Sequence, residues 1–345
     1  MPRFSFKPAW FDSSTIRQAH GAERSRSTSS LSRAKSRDKL TILKKRVKNW
    51  FLYRFITSII FVLNFLPSKS SISLGRFLGK LAYLIIADAR KRTLSNLKIA
   101  FGKEKGQREI KKLALTVFEN VGKNVADAVR LKNMKWEKIE RITKIEGLEY
   151  FDNAYKMGKG VIALTGHIGN FELLGAYFSL KGYKLSVIGR ELYDPRLDAL
   201  LVKNRESVGL ENIPSSASVK QVIKALRSGR TLGVLADQDS SKVRGVFVNF
   251  FERPARTPVG PALLAYKIQS PIVPMAIIRE KDDKYRILVK KPIELAFSGD
   301  KEKDIIETTQ EYTKVLESII REYPSQWLWM HDRWKSKPGL LRSEK

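Results

Sequence analysis

The sequence predicts an α/β protein: a mostly parallel, helix-flanked sheet preceded by an N-terminal hydrophobic and helical part that associates with a membrane. Three observations predict it. From about Lys144 onward, short apolar runs rich in β-branched residues alternate with helical segments, the mark of βαβ units. The most apolar stretch of the chain, NWFLYRFITSIIFVLNFLP, occupies residues 49 to 67. Finally, 65 Lys and Arg stand against 35 Asp and Glu, a formal net charge of +30 that calls for an anionic partner. A chain of 345 residues, 43% hydrophobic, buries a full core and is not disordered throughout.

Residues 1 to 48, with RSRSTSSLSRAKSR, read as a disordered basic arm. No apolar run with a small-residue cleavage site follows the first charges, so the arm is not a secretory signal. Residues 20 to 48 hold no aromatic side chain to stack on bases, and no nucleic-acid partner is expected.

The apolar stretch is about the minimum length for a span, and Arg54 interrupts it. Lys44, Lys45, Arg46 and Lys48 precede it and Lys69, Arg76 and Lys80 follow it, so both flanks favour the cytoplasmic side. The expectation is a helix embedded in, or re-entering from, the cytoplasmic leaflet. Anionic head groups would hold its basic flanks at about 1 kcal/mol per charge. A buried core helix is the alternative. Residues 71 to 100 and 107 to 130 are expected as helices beside it, the second amphipathic through Ile110, Leu113, Val117 and Val121. This divides the chain into the arm, an anchor and helical part at 49 to 143, a catalytic domain at 144 to 337 and a tail at 338 to 345.

Within the catalytic part, strands are expected at 160–165, 184–188, 231–236, 272–278 and 285–290. Helices are expected at 171–180, 195–208, 218–227, 261–268 and 304–323. Asp194 as N-cap and Pro195 at the first position open the second of these, and Ser215 or Ser216 opens the third.

In such sheets ligands sit at the carboxyl ends of the strands. His167, one of three histidines, directly follows the first strand in ALTGHIGNFELLG. Asn170 can cap the next helix, and Glu172 in its first turn can bend back toward the imidazole. A carboxylate on one ring nitrogen fixes the tautomer and frees the other nitrogen to take a proton from a hydroxyl. The plainer alternative is that Glu172 only complements the helix dipole.

A second constellation, LADQDSSKVRGVFVNFFERPARTPVG at 235 to 260, puts Asp237 and Asp239 at a strand end and follows them with Arg244, Arg253 and Arg256. Arg190 and Arg205 add cations able to reach the same edge and hold a phosphate or carboxylate in two-pronged fashion. Phe247, Phe250 and Phe251 line an acyl groove or belong to the core. With no cysteine there is no thiolate nucleophile and no cysteine-ligated zinc, and no dense carboxylate cage demands a metal or other cofactor.

GVIALTGHIGNFELLG, IGRELYDPRLDALLVKNR, LADQD with GVFVNFFERPARTPVGPALLA, and the terminal QWLWMHDRWK together resemble the bacterial lipid A acyltransferase family, a branch of the lysophospholipid acyltransferase superfamily. The resemblance spans roughly residues 45 to 337. It implies a sheet of the glycerolipid-acyltransferase type, with the catalytic domain facing the cytoplasm from the inner membrane. It also implies transfer of a fatty acyl chain from acyl carrier protein or coenzyme A to a hydroxyl of an anionic glycolipid. A lipid A precursor is the first acceptor, and a mannosylated phosphoinositide or another lipid the alternative. By motif, His167 resembles the family's general base, Glu172 its partner, and Arg205 and Asp237 supporting residues, with Arg190 a weaker match. Asn170, Asp239 and Arg253 complete the expected supporting set. The Ser/Arg arm and the DQDSS segment depart from the family's pattern. The Glu-Gly-Thr-Arg signature of glycerolipid acyltransferases is absent, which argues against lysophosphatidate as acceptor. A reading from another class is a non-catalytic basic protein that coats anionic membrane.

Overall fold

The computed structural model describes residues 47–338. The expected arm up to residue 46 and the tail from 339 lie outside the described residues. Among the described residues, 55–338 fall in one compact unit and 47–54 in another.

Seven strands form the central sheet: β1 (Thr143–Glu146), β2 (Val161–Thr165), β3 (Leu185–Gly189), β4 (Glu211–Pro214), β5 (Thr231–Leu235), β8 (Ile272–Arg279) and β9 (Tyr285–Val289). Their order is β1-β9-β8-β2-β5-β3-β4, and every pairing is parallel except β8 with β9. The mostly parallel sheet is therefore present, and its central strands carry the expected signature. All five residues of β2 and all eight of β8 are buried, because helices cover both faces and the strands read as continuous apolar runs. A separate antiparallel hairpin joins β6 (Gly245–Phe250) to β7 (Arg253–Pro258). The four-residue edge strands β1 and β4 escaped the pattern search, since ENIP and TKIE are too short and polar to show a period of two.

The helices of the sheet region are α5 (Trp136–Ile142), α6 (Leu148–Lys156), α7 (Phe171–Leu180), α8 (Pro195–Glu206), α9 (Val219–Arg227), α10 (Gly260–Ile268) and α11 (Lys301–Glu322). Asp194 caps α8 as expected, its carboxylate accepting from Arg196 N. For α9 the expected cap fails: Ser218 is the N-cap and makes no side-chain capping bond, so neither Ser215 nor Ser216 opens the helix.

The apolar stretch forms helix α1 (47–65). It leaves Trp50, Phe51, Phe55, Phe61 and Phe65 exposed, which excludes a buried core helix. The single helix expected over 71–100 is broken at Ile86 into α2 (Ser68–Ile85) and α3 (Ala87–Phe101), which meet at 91°. Arg90 donates to the carbonyls of Tyr83 and Leu84 at 2.7 and 2.8 Å, satisfying backbone groups that the break sets free. Among the described residues no single helix is long and apolar enough to cross a membrane; α2 and α3 meet that test only as a bent pair.

Helix α4 (Gln107–Ala128) packs on α2 and forms one wall of the site described below. Phe250 and Phe251 are buried against Trp327, Trp329 and Phe101. Phe247 borders a groove beside α11, so none of the three lines a channel at His167.

Candidate active site

The site follows from strand register. Strands β2 and β5 are parallel neighbours, and Thr165 at the end of one pairs with Leu235 at the end of the other. Neighbouring strands run about 4.8 Å apart, so residues equally far past paired ends emerge side by side. Two residues on from each lie His167 and Asp237. Asp237 Oδ1 sits 2.8 Å from His167 Nδ1, while Oδ2 accepts the His167 backbone N–H at 2.7 Å and the Trp327 indole N–H at 2.6 Å.

This corrects the expected pairing. The carboxylate on the imidazole is that of Asp237, seventy residues away in sequence, and not that of Glu172. Asp237 is thus occupied by His167 and Trp327, and the carboxylate on Arg205 is that of Glu172. Burial pulls the His167 pKa down, but the charge and hydrogen bond of Asp237, with the charge of Glu172, outweigh it and raise the value above 6.5. For Asp237, burial pushes upward and is overcome by the His167 charge and by the three donors, which hold the acid at about 2. The imidazole is thus oriented through Nδ1, and Nε2 remains for a substrate proton.

Glu172 has another task. Its carboxylate takes two parallel bonds from Arg205, Nε at 2.9 Å and Nη2 at 2.6 Å, while Arg205 Nη1 donates to Asn212 at 2.7 Å. The pair ties the first turn of α7 to the last turn of α8. Gly189 leaves room for it, since a Cβ there would come within 2.7 Å of Arg205 Nη1.

The turn carrying His167 is shaped by Gly169, at φ +59°, where a Cβ would lie 1.7 Å from the Ile277 carbonyl. Asn170 caps α7 as expected, accepting from Leu173 N at 3.2 Å. Its amide donates to Asn124 O and to the Tyr285 hydroxyl. That hydroxyl and Arg279 both hold Asp127 of α4, at 2.6 and 2.8 Å. The turn and the helical wall opposite are therefore hydrogen-bonded into one frame.

Between them lies a cavity of about 210 Å³, walled by Val117, Val121, Val125 and Ala128 of α4, with His167, Phe171 and Glu172 on the other side. Behind Phe171, which borders both, is a smaller apolar cavity of about 40 Å³ lined by Phe151, Leu174, Phe178 and Met275. Phe171 also meets the His167 ring edge-on at 5.2 Å.

The remaining expected residues are not brought to this cavity. Asp239 is buried, accepts from Ser336 N at 2.9 Å and faces Arg256 at 3.9 Å; it anchors the chain end. Arg253 is exposed at the hairpin turn, and it is Arg256 that enters the interior. Arg190 is exposed just past β3. Sequence reasoning missed the role of Trp327, whose only signal was a tryptophan inside a quoted motif.

A proton acceptor oriented by a buried acid, opening into an apolar cavity, suits removal of a hydroxyl proton beside an acyl chain. The model of the bacterial lipid A biosynthesis acyltransferases matches residues 38–336. The chain belongs to this family. It is an acyltransferase. It is 28% identical over 278 residues to the lipid A biosynthesis lauroyltransferase of Escherichia coli K12, covering 79% of this chain and 88% of that protein. To the lipid A biosynthesis palmitoleoyltransferase of the same organism it is 21% identical over 288 residues, 79% of this chain and 87% of the relative. A phosphatidylinositol mannoside acyltransferase of Mycobacterium tuberculosis is 29% identical over 163 residues, 46% of this acyltransferase and about half, 51%, of the mycobacterial protein.

Proposed function

We propose that this acyltransferase moves a fatty acyl chain from a thioester donor, acyl carrier protein or coenzyme A, to a hydroxyl of a lipid A precursor. His167 is the general base. The observation that carries the reading is His167 in the wall of an apolar cavity with the buried Asp237 carboxylate behind it on Nδ1. A hydroxyl is a poor nucleophile toward a thioester until its proton leaves. Nε2 of His167 takes that proton as the oxygen attacks the thioester carbon, and Asp237 stabilises the resulting imidazolium. Collapse of the tetrahedral adduct breaks the carbon–sulfur bond, and the proton passes from imidazolium to the departing thiolate. The backbone N–H groups of Phe171 and Glu172, in the first turn of α7 beside His167, supply donors for the oxyanion. The apolar space on both sides of Phe171 suits the acyl chain.

The enzyme works at the cytoplasmic face of the inner membrane. Exposed Phe61, Phe65, Phe77, Leu84 and Ile85 on α1 and α2 give it an apolar surface, and the net charge of +30 favours anionic lipid. A mannosylated phosphoinositide acceptor is the second reading, favoured by the mycobacterial relative.

Mass spectrometry of membrane lipids from cells with the wild-type protein or His167→Ala tests the acceptor and the base together. The expected result is one added acyl chain on a lipid A precursor with the wild type. With purified His167→Ala, turnover should fall by about two to four orders of magnitude. Near-wild-type turnover would end the catalytic reading, and an acylated phosphoinositide would select the second acceptor. Phe65→Ser, at a residue 81% exposed, should leave folding intact and weaken binding to anionic vesicles. Equal vesicle binding would remove α1 from the membrane surface.

A further inference from the structure

The segment after α11 has little regular structure, yet four of its large side chains, Trp327, Trp329, Arg333 and Trp334, are buried. Trp327, Trp329 and Arg333 are each no more than 1% exposed. It runs antiparallel to the catalytic turn: Ile168 and Trp327 form a bridge, Gly169 N donates to Gln326 O at 2.8 Å, and Leu328 N donates to His167 O at 3.0 Å. Asn96 of α3 fixes the far side by donating to the carbonyls of Trp329 and His331. The indole of Trp327 is thereby held with its N–H on Asp237 Oδ2 at 2.6 Å.

We propose that Trp327 is a positioning residue for the reaction. Its indole N–H, together with the His167 backbone N–H, occupies Asp237 Oδ2, leaves Oδ1 to the imidazole, and limits how basic His167 becomes. The inference rests on His167 being the general base. Two N–H dipoles on one carboxylate oxygen disperse its charge, so less of it is available to the imidazolium. Without the indole donor, Asp237 would hold the imidazolium more tightly. His167 would then keep its proton to a higher pH and be a poorer base below that point.

The other charged groups that act on the pair are Glu172 on α7 and His331 and Arg333 on the terminal segment, with Asp239 on the loop after β5 behind these last two. Arg205 offsets Glu172. Trp327→Phe leaves all of these in place and retains an aromatic ring against Phe250 and Trp329, at 5.6 and 4.5 Å in the native protein. Trp327 does not border the cavity at His167, so substrate binding should not change.

The test uses the full-length protein with labelled histidine. Its three histidines, His20, His167 and His331, make the ring resonances few, and His167→Gln assigns the one of interest. In Trp327→Phe the His167 titration should move upward by about half a pH unit. The acidic limb of kcat/KM should move with it, about threefold in rate below the limb, with KM unchanged. An unmoved or lowered titration would overturn the proposal and leave Trp327 a packing residue. Should Trp327→Phe fail to fold, the indole N–H resonance of the native protein decides instead. It should follow the His167 titration and shift in Asp237→Asn, and a resonance indifferent to both would equally overturn the proposal. If the titration moves as expected while His167→Ala remains fully active, the indole's effect on the imidazole stands, but the base assignment falls and with it the role of Trp327 in the reaction.

Discussion

Asp237 and Glu172 flank the same turn, and each carboxylate holds its partner at hydrogen-bond distance, 2.8 Å to His167 and 2.6 Å to Arg205. Their surroundings differ. The Asp237 side chain is 1% exposed and stands among three donors, whereas Glu172 and Arg205 are each 13% exposed. The partners differ more. An imidazole exchanges its proton near neutral pH, and a guanidinium does not. One pair can therefore move a proton, while the other can only hold α7 and α8 together. A carboxylate close to His167 in sequence is not its partner for that reason; what it touches decides its work.

The change expected to separate the pairs most is Asp237→Asn. It keeps the shape, removes the charge that stabilises the imidazolium, and should lower kcat by at least about 10²-fold. The acidic limb of the remaining activity should fall toward or below the ordinary imidazole value, near 6.5, since the charge that raises His167 is gone. A limb still above that value would assign the raised pKa to Glu172 instead.

The same pair gives stability a definite pH dependence. Asp237, held at about 2, stabilises the fold above its unfolded value, and that contribution is lost as pH falls through 2. His167, raised, stabilises below its unfolded value and loses the contribution as pH rises through its folded one. Thermal unfolding of the wild type minus that of Asp237→Asn should accordingly be largest between about pH 4 and 6.5.

A smaller effect is expected at the outer pair. Arg205→Lys keeps the charge and loses the two-pronged bond, so it should cost stability more than chemistry. In double-mutant cycles Arg205 and Glu172 should couple by about 0.5–3 kcal/mol, and Arg205 with Asp237 should be nearly additive. Strong coupling between Arg205 and Asp237 would dissolve the distinction between the two regions.

Local residue order determined a good deal. Apolar runs marked β2, β3, β5, β8 and β9 to within a residue or two, because each is a short contiguous run of mostly apolar residues, fully buried in β2 and β8. The start of α7 was legible down to its cap, since Asn170 acts on an N–H three residues away. His167 stood out by its place after a strand, and the mixed Trp and His motif near the end was visible without a role. The break at Ile86 was not legible, because both halves are good helix and the carbonyls freed there are met by Arg90. The partner of His167 was hidden for a deeper reason. Which strands lie side by side is set by the packing of the whole sheet, and only the adjacency of β2 and β5 carries Asp237 across seventy residues to the imidazole. The same holds for Trp327, ninety residues beyond Asp237, which reaches it because the terminal segment pairs with the catalytic turn. Sequence alone determined which chemical groups were available and where the long apolar elements ran; the tertiary structure decided which of them touch. Hydrogen bonds between side chains depend on distance in space, and at these separations chain order does not encode it.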